Sequence, residues 1–191
     1  TGSISSGKST AVKFLSKGRY PIYSADNEVS KLYRKASFIK LIAKLFKINK
    51  RNNLKKELRR LIIEDKINLD KLEKIIHPLV RKKMKRFSTK NKSKKFLIYE
   101  IPLLVEKNLK RHFDTAIFIG SSRKNRLKRY RKNGGSRKVF DFLDKRQLPQ
   151  KKKIKFCNHV IVNNSSLNVL KKKILNIMNK YEWNFLRYWN D

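Results

Sequence analysis

The first ten residues, Thr-Gly-Ser-Ile-Ser-Ser-Gly-Lys-Ser-Thr, constrain the chain more than anything after them. Gly2, four residues, then Gly7-Lys8-Ser9 is the spacing of a phosphate-binding loop. In such a loop backbone N–H groups wrap an oxyanion, Lys8 brings a point charge to the outer phosphates, and Ser9 offers a hydroxyl to Mg²⁺. The bland alternative is a Gly/Ser-rich turn ahead of a helix, and a chain with only six glycines argues against that accident. The loop type runs from a buried strand into a helix. Ala11, Val12, Phe14 and Leu15 supply the helix, ending near Gly18, but no apolar run precedes Thr1, so a first strand is expected to be missing before residue 1.

Fifty-one Lys and Arg against fourteen Asp and Glu give a formal net charge of +37. Such a field attracts nucleic acid, acidic lipid or a small polyanionic substrate. The cations occur on nearly every expected element rather than in one tail, which points to compositional drift combined with a preference for anionic ligands. A hydrophobic content of 39% is enough for a real core, and no apolar run approaches the roughly 18 residues of a membrane span. The single cysteine, Cys157, excludes an internal disulfide, fits a reducing cytoplasm, and reads as core filler rather than nucleophile. Three histidines and one cysteine, far apart, show no ligand spacing for zinc.

Beyond the first helix, Tyr20 to Tyr23 reads as a short strand ending at Ser24-Ala25-Asp26. Helical spacing then runs from Val29 to Phe46, resumes after Asn52-Asn53 over Leu54 to Glu64, and begins again at Asn68, with His77-Pro78 expected to bend that last helix. Phe96 to Glu100, Asp114 to Gly120 and His159 to Asn163 are apolar runs of the buried parallel-strand type. Strands alternating with helices predict an α/β fold with a parallel sheet whose ligands gather at the carboxyl ends of the strands. Ser121 to Lys155 is saturated with positive charge around Gly134-Gly135, either a solvated helical face or a cationic flap on a hinge. From Ser165 a closing helix is expected to bury Leu167, Leu170, Ile174, Ile177 and Tyr181, with Trp183, Phe185 and Trp189 capping the core.

Scarcity of carboxylates sharpens the search for an acid or base. Only Asp26 and Glu100 stand at the carboxyl end of an expected strand, on the edge that carries the phosphate loop. Phosphoryl transfer to a hydroxyl needs a proton acceptor and a carboxylate to hold Mg²⁺ directly or through water. Asp26 could instead cap the helix after it, and Glu100 could pair with one of many lysines.

Taken in order, Gly2 to Thr10, Ser24-Ala25-Asp26, Ile76-His77-Pro78-Leu79-Val80, Glu100-Ile101-Pro102-Leu103-Leu104-Val105-Glu106, Gln147 and Val160-Ile161-Val162-Asn163 resemble the dephospho-coenzyme A kinases over nearly the whole chain. The His-Pro and Pro-Leu-Leu-Val-Glu segments make the resemblance specific. It implies a three-layer P-loop NTPase fold with a core (1–26, 93–122, 157–191), a helical acceptor-binding insertion (27–92) and a basic lid (123–156). It implies ATP-dependent phosphorylation of the ribose 3′-hydroxyl of dephospho-CoA, with Asp26 and Lys8 catalytic. ATP would be held by Gly2, Ser3, Ser5, Ser6, Gly7, Lys8, Ser9, Thr10 and Lys153. The acceptor would meet Asp26, His77, Glu100, Pro102 and Leu103, and Mg²⁺ would sit on Ser9, with Glu100 reaching it through water. A cytoplasmic monomer acting on ATP and dephospho-CoA is implied, without a membrane or a specific nucleic acid, although the charge gives weak adhesion to polyanions.

The chain departs from the family pattern at Ser24, often Asp, at Ser5, commonly Gly, and at Lys153, often Arg. Lys153 keeps the charge but not the bidentate grip of a guanidinium on phosphate. The aspartate usual before the last strand is replaced around Cys157-Asn158. Two other readings are a nucleoside or nucleotide kinase on the same scaffold, which would not need the His77-Pro78 and Pro102-Leu103-Leu104 segments, and a basic nucleic-acid-binding protein. The second predicts aromatics interleaved with the basic patch, where the lid offers only Tyr130, Phe140, Phe142 and Phe156.

Overall fold

The computed structural model describes residues 1–49 and 53–187, with side chains described through Glu182 except that of Lys66. Asn52 and the side chains of Trp183, Phe185 and Trp189 therefore lie outside the described residues. The chain divides into two compact units, one made of Thr1–Ile22 together with the chain from Lys94 onward, the other of Tyr23–Ser93.

In the first unit, β3 (Ile117–Gly120) and β4 (His159–Val162) pair in parallel, with Ile117 opposite His159 and Gly120 opposite Val162. Gly2 bridges Ile119 in the same direction, Ile119 N–H donating to the Thr1 carbonyl at 2.9 Å. Gly2 is required there, since a Cβ would lie 2.2 Å from the Ile119 carbonyl oxygen. The third expected strand is shorter than its apolar run: β2 spans Ile98–Glu100, and Ile98 N–H donates to the Pro21 carbonyl at 3.0 Å, at the threshold of β1 (Ile22–Ser24). β2 and β3 do not pair among the described residues, and a cavity of about 520 Å³ lined by Thr1, Val12, Leu15, Ile98, Ile117 and Met178 lies there.

Helix α1 (Lys8–Ser16) and the long helix α9 (Leu167–Arg187) cover these strands. Their apolar faces join Ala11, Leu15, Ile119, Ile161, Leu170, Ile174 and Met178 in one core. Leu167 is exposed, contrary to the periodic pattern, because it stands on the opening turn of α9, and Met178 joins the buried face one position after Ile177. Phe118 and Ile119 are both buried, as a continuous apolar run requires, whereas Val160 and Val162 are exposed on either side of Ile161. Among the described residues β4 pairs only with β3, and its successive side chains point alternately to the covered and the open face.

The basic segment folds as α6 (Arg123–Lys132), α7 (Arg137–Arg146) and α8 (Gln150–Ile154), all belonging to the first unit. Ser122 and Ser136 cap α6 and α7 by accepting from Asn125 and Val139 N–H. Fully buried Phe140 sits beneath the Arg126 guanidinium at 5.5 Å and against the Tyr130 ring at 5.6 Å, so it is a packing residue. Arg126, itself buried, is held by both carboxylate oxygens of Asp144 and by the Ser121 carbonyl at 3.1 Å.

The second unit is helical, as expected: α2 (Ala25–Leu32), α3 (Ala36–Leu45), α4 (Leu54–Glu64) and α5 (Lys66–Lys90). Leu32, Phe38, Ile42, Ile48, Leu58, Leu72 and Ile76 form its core. α5 starts two residues before Asn68 because Asp65 caps it, accepting from Ile67 N–H at 2.8 Å, while the Asn68 amide donates to the Leu61 carbonyl. It continues through Pro78 as one helix of 25 residues. Among the described residues no helix is long and apolar enough to cross a membrane.

Candidate active site

The loop residues fold as a tight wrap ahead of α1. Ser6 N–H donates to the Ser3 carbonyl at 3.2 Å, and the buried Lys8 ammonium reaches back to the same carbonyl at 2.9 Å. Ser5 adopts φ 53° and Gly7 φ 100°, a left-handed pair that lets successive N–H groups converge on an anion. Ser5 carries a Cβ in this region where glycine would be at ease, a local strain of about 1 kcal/mol. Gly7 stands at the N-cap of α1 and supplies no side-chain cap, so the first N–H groups of the helix are left for a ligand.

The Ser9 hydroxyl donates to Glu100 Oε1 at 2.7 Å. Glu100 is buried at the end of β2, so the carboxylate is held by the sheet and the hydroxyl by the first turn of α1. Two hard oxygen donors this close fit the ligand chemistry of Mg²⁺. Pro102, just past β2, has its carbonyl bonded by Thr1 Oγ1 and by Lys153 Nζ, both at 3.1 Å, and Leu103 lies in the same turn, its carbonyl accepting from Lys107 N–H.

Lys153, expected on ATP, lies on α8. Its ammonium is fully buried, pairs with Glu106 Oε1 at 2.7 Å, and fixes α8 to the Pro102 turn.

In the second unit, Asp26 stands exposed in the first turn of α2. The cap of that helix is Ser24, whose hydroxyl accepts from Asn27 N–H, so Asp26 is not the capping residue. His77 is half-buried on α5, with Nε2 3.8 Å from Glu73 Oε2.

Three loop-contacting residues were not among the expected site residues. Gln147 Oε1 accepts from Ile4 N–H at 3.0 Å, the Asn163 amide donates to the Ser6 carbonyl at 2.8 Å, and Arg129 bonds the same carbonyl at 3.4 Å. Gln147 and Asn163 lay inside segments already singled out, but Arg129 is one cation among many in sequence. Cys157 is half-buried, and burial pushes its thiol above the ordinary range, as befits a packing residue. No group of His, Cys, Asp and Glu among the described residues is arranged to hold a metal by itself.

A family model described as dephospho-CoA kinase matches residues 1–168. The chain belongs to the dephospho-CoA kinase family. Among its relatives, the dephospho-CoA kinase of Bartonella quintana (strain Toulouse) is 32% identical over 185 residues, covering 93% of this chain and 94% of the relative. That of Fusobacterium nucleatum is 33% identical over 179 residues, covering 91% and 92%. Two solved structures share the fold of this dephospho-CoA kinase family member. TT1252 from Thermus thermophilus superposes with a TM-score of 0.76 at 24% identity, over 94% of each chain. The dephospho-CoA kinase from Campylobacter jejuni gives 0.61 at 22% identity, over 95% of this chain and 94% of its own. Family membership favours the dephospho-CoA reading over a nucleotide kinase or a nucleic-acid-binding protein.

Proposed function

We propose that this protein is an ATP-dependent dephospho-CoA kinase that phosphorylates the ribose 3′-hydroxyl of its acceptor to give coenzyme A. The observation that carries the reading is the formed phosphate loop with Ser9 and Glu100 2.7 Å apart at its end, in a chain of this family. Loop N–H groups and Lys8 bind the ATP phosphates and offset charge on the transferred group. Ser9 Oγ would hold Mg²⁺ directly and Glu100 through water, and the ion would supply positive charge to offset that of the phosphates. Asp26 takes the proton from the ribose 3′-hydroxyl as its oxygen bonds to the γ-phosphorus, and the bond from that phosphorus to the β–γ bridging oxygen breaks to release ADP. Tyr23–Ser93, bearing Asp26 and His77, binds the acceptor, and α6–α8 act as the lid that excludes water from the reacting phosphoryl group. The single cysteine and the family's acceptor support a cytoplasmic site of action, and the reading takes the enzyme as a monomer.

The test is coupled ADP release with Mg-ATP and dephospho-CoA, beside Asp26→Ala and beside adenosine or AMP as acceptor. Release that requires dephospho-CoA and falls by roughly 10²-fold or more in Asp26→Ala is the expected result. Release indifferent to the acceptor overturns the substrate assignment, and undiminished release from Asp26→Ala overturns the base.

A further inference from the structure

The carbonyl of Ser6 accepts two side-chain hydrogen bonds, and both come from outside the phosphate loop. Asn163 Nδ2 donates to it at 2.8 Å, and Arg129 Nη1 at 3.4 Å. These two donors are themselves fixed. Asn163 is buried immediately after β4, its N–H donating to the Gly120 carbonyl at 2.7 Å and its own carbonyl accepting from Arg129 Nη2 at 2.9 Å. Arg129 also donates to Ser121 Oγ at 3.2 Å, and Ser121 Oγ donates to Asn164 Oδ1 at 3.0 Å.

A trans peptide is planar, so its C=O and the N–H of the next residue point in opposite directions. Holding the Ser6 carbonyl toward β4 and α6 therefore aims the Gly7 N–H the other way, toward the inside of the loop. The restraint matters at this peptide because Gly7 (φ 100°, ψ 22°) is free to adopt several backbone conformations, and a rotation of the 6–7 peptide would turn a carbonyl oxygen toward the phosphates. The loop offers no substitute anchor: Ser6 Oγ is buried without a hydrogen-bond partner among the described residues. The Asn163 amide also lies directly over Gly7, where a Cβ would come within 2.4 Å of Nδ2.

We propose that Asn163, braced by Arg129, is a positioning residue for phosphate binding: it holds the Ser6 carbonyl outward so that the Gly7 N–H is presented to ATP. Arg129, counted by sequence among the lid cations, thereby serves the loop backbone. The proposal rests on the reading of the loop as the ATP site, not on the identity of the acceptor.

Asn163→Asp tests it in the full-length protein, since the carboxylate keeps the size of the amide and replaces the donor with an acceptor facing the Ser6 carbonyl. The Kd for ATP, measured by calorimetry without acceptor, rises roughly tenfold or more. KM for ATP follows it, while KM for dephospho-CoA moves by less than about twofold. A purely structural role for Asn163 would shift the unfolding midpoint and leave this split between substrates absent. In the wild-type protein the Gly7 amide resonance shifts on titration with inorganic tripolyphosphate, a readout that stands even if the variant does not fold. An unchanged Gly7 resonance, or an ATP Kd within about twofold of wild type in folded Asn163→Asp, overturns the proposal. Weakened ATP binding in the variant, in a protein that fails to phosphorylate dephospho-CoA, supports the proposal while sinking the acceptor assignment.

Discussion

The Lys153–Glu106 pair makes the strongest energetic prediction, because it joins one of the two lysine ammonium groups expected on ATP to a carboxylate inside the fold. Lys153 is completely buried and Glu106 11% exposed, with 2.7 Å between Nζ and Oε1. At an effective dielectric of 20 that separation corresponds to a gross attraction of about 6 kcal/mol, most of it offset by desolvation of the two ions. Removing one partner leaves the desolvation cost in place. In Lys153→Met the Glu106 carboxylate retains only the Leu148 N–H at 3.0 Å, and its Oε2 has no hydrogen-bond partner among the described residues. In Glu106→Gln the ammonium retains the Pro102 carbonyl at 3.1 Å. Each single change is expected to cost about 3–5 kcal/mol, and the double change far less than the sum, giving a coupling of about 2–3 kcal/mol. With a urea m-value of about 2 kcal/mol/M, each single variant loses roughly 1.5–2.5 M in midpoint, read by circular dichroism. ATP affinity in folded Lys153→Met stays within about tenfold of wild type, since the ammonium is held internally. Two results refute the reasoning: single variants costing under about 1 kcal/mol with additive effects, or a raised KM for ATP at an unchanged midpoint, the mark of a lysine that grips phosphate.

Two further outcomes can be checked separately. Gly7→Ala adds a Cβ 2.4 Å from Asn163 Nδ2 at φ 100°, so titration calorimetry should find ATP binding weakened by about tenfold to a hundredfold, and near-wild-type affinity would mean that the loop does not keep this conformation. Burial works to raise the Glu182 carboxyl, but hydrogen bonds from Lys17, Tyr20 and Arg19 outweigh it and hold the group at about 2 against an ordinary 4.5. A depressed carboxyl stabilises the fold above its unfolded value, so the stability gap between wild type and Glu182→Gln should be full above pH 4.5 and close as pH falls toward 2; a gap independent of pH in urea titrations would sink the assignment.

Which parts of this molecule could be read in advance follows from the distance along the chain over which each feature is encoded. The phosphate loop is local: its glycine spacing, its lysine and the helix behind it occupy Gly2 to Ser16, and the structure forms them in that order. Helix existence was equally local, while ends were decided by single side chains, as Asp65 moves the start of α5 ahead of Asn68. Burial of β4 was not local, because an apolar run cannot state how many neighbours a strand will have. Least legible were the residues that complete the site from outside. Asn163 meets Ser6 across 157 positions, Gln147 meets Ile4 across 143, and Arg129 meets Ser6 across 123. Composition hides such contacts in a chain with 51 cations, since any of them could have been the one against the loop. The fourteen carboxylates carry the opposite information. With so few available, several of them act as junctions: Asp144 fixes buried Arg126 through both oxygens, Glu106 joins Lys153 to Leu148, and Glu182 gathers Lys17, Arg19 and Tyr20. Neutralising a carboxylate here removes a junction, whereas neutralising an exposed lysine removes one of many interchangeable charges, so the consequences of substitution concentrate on the acidic residues.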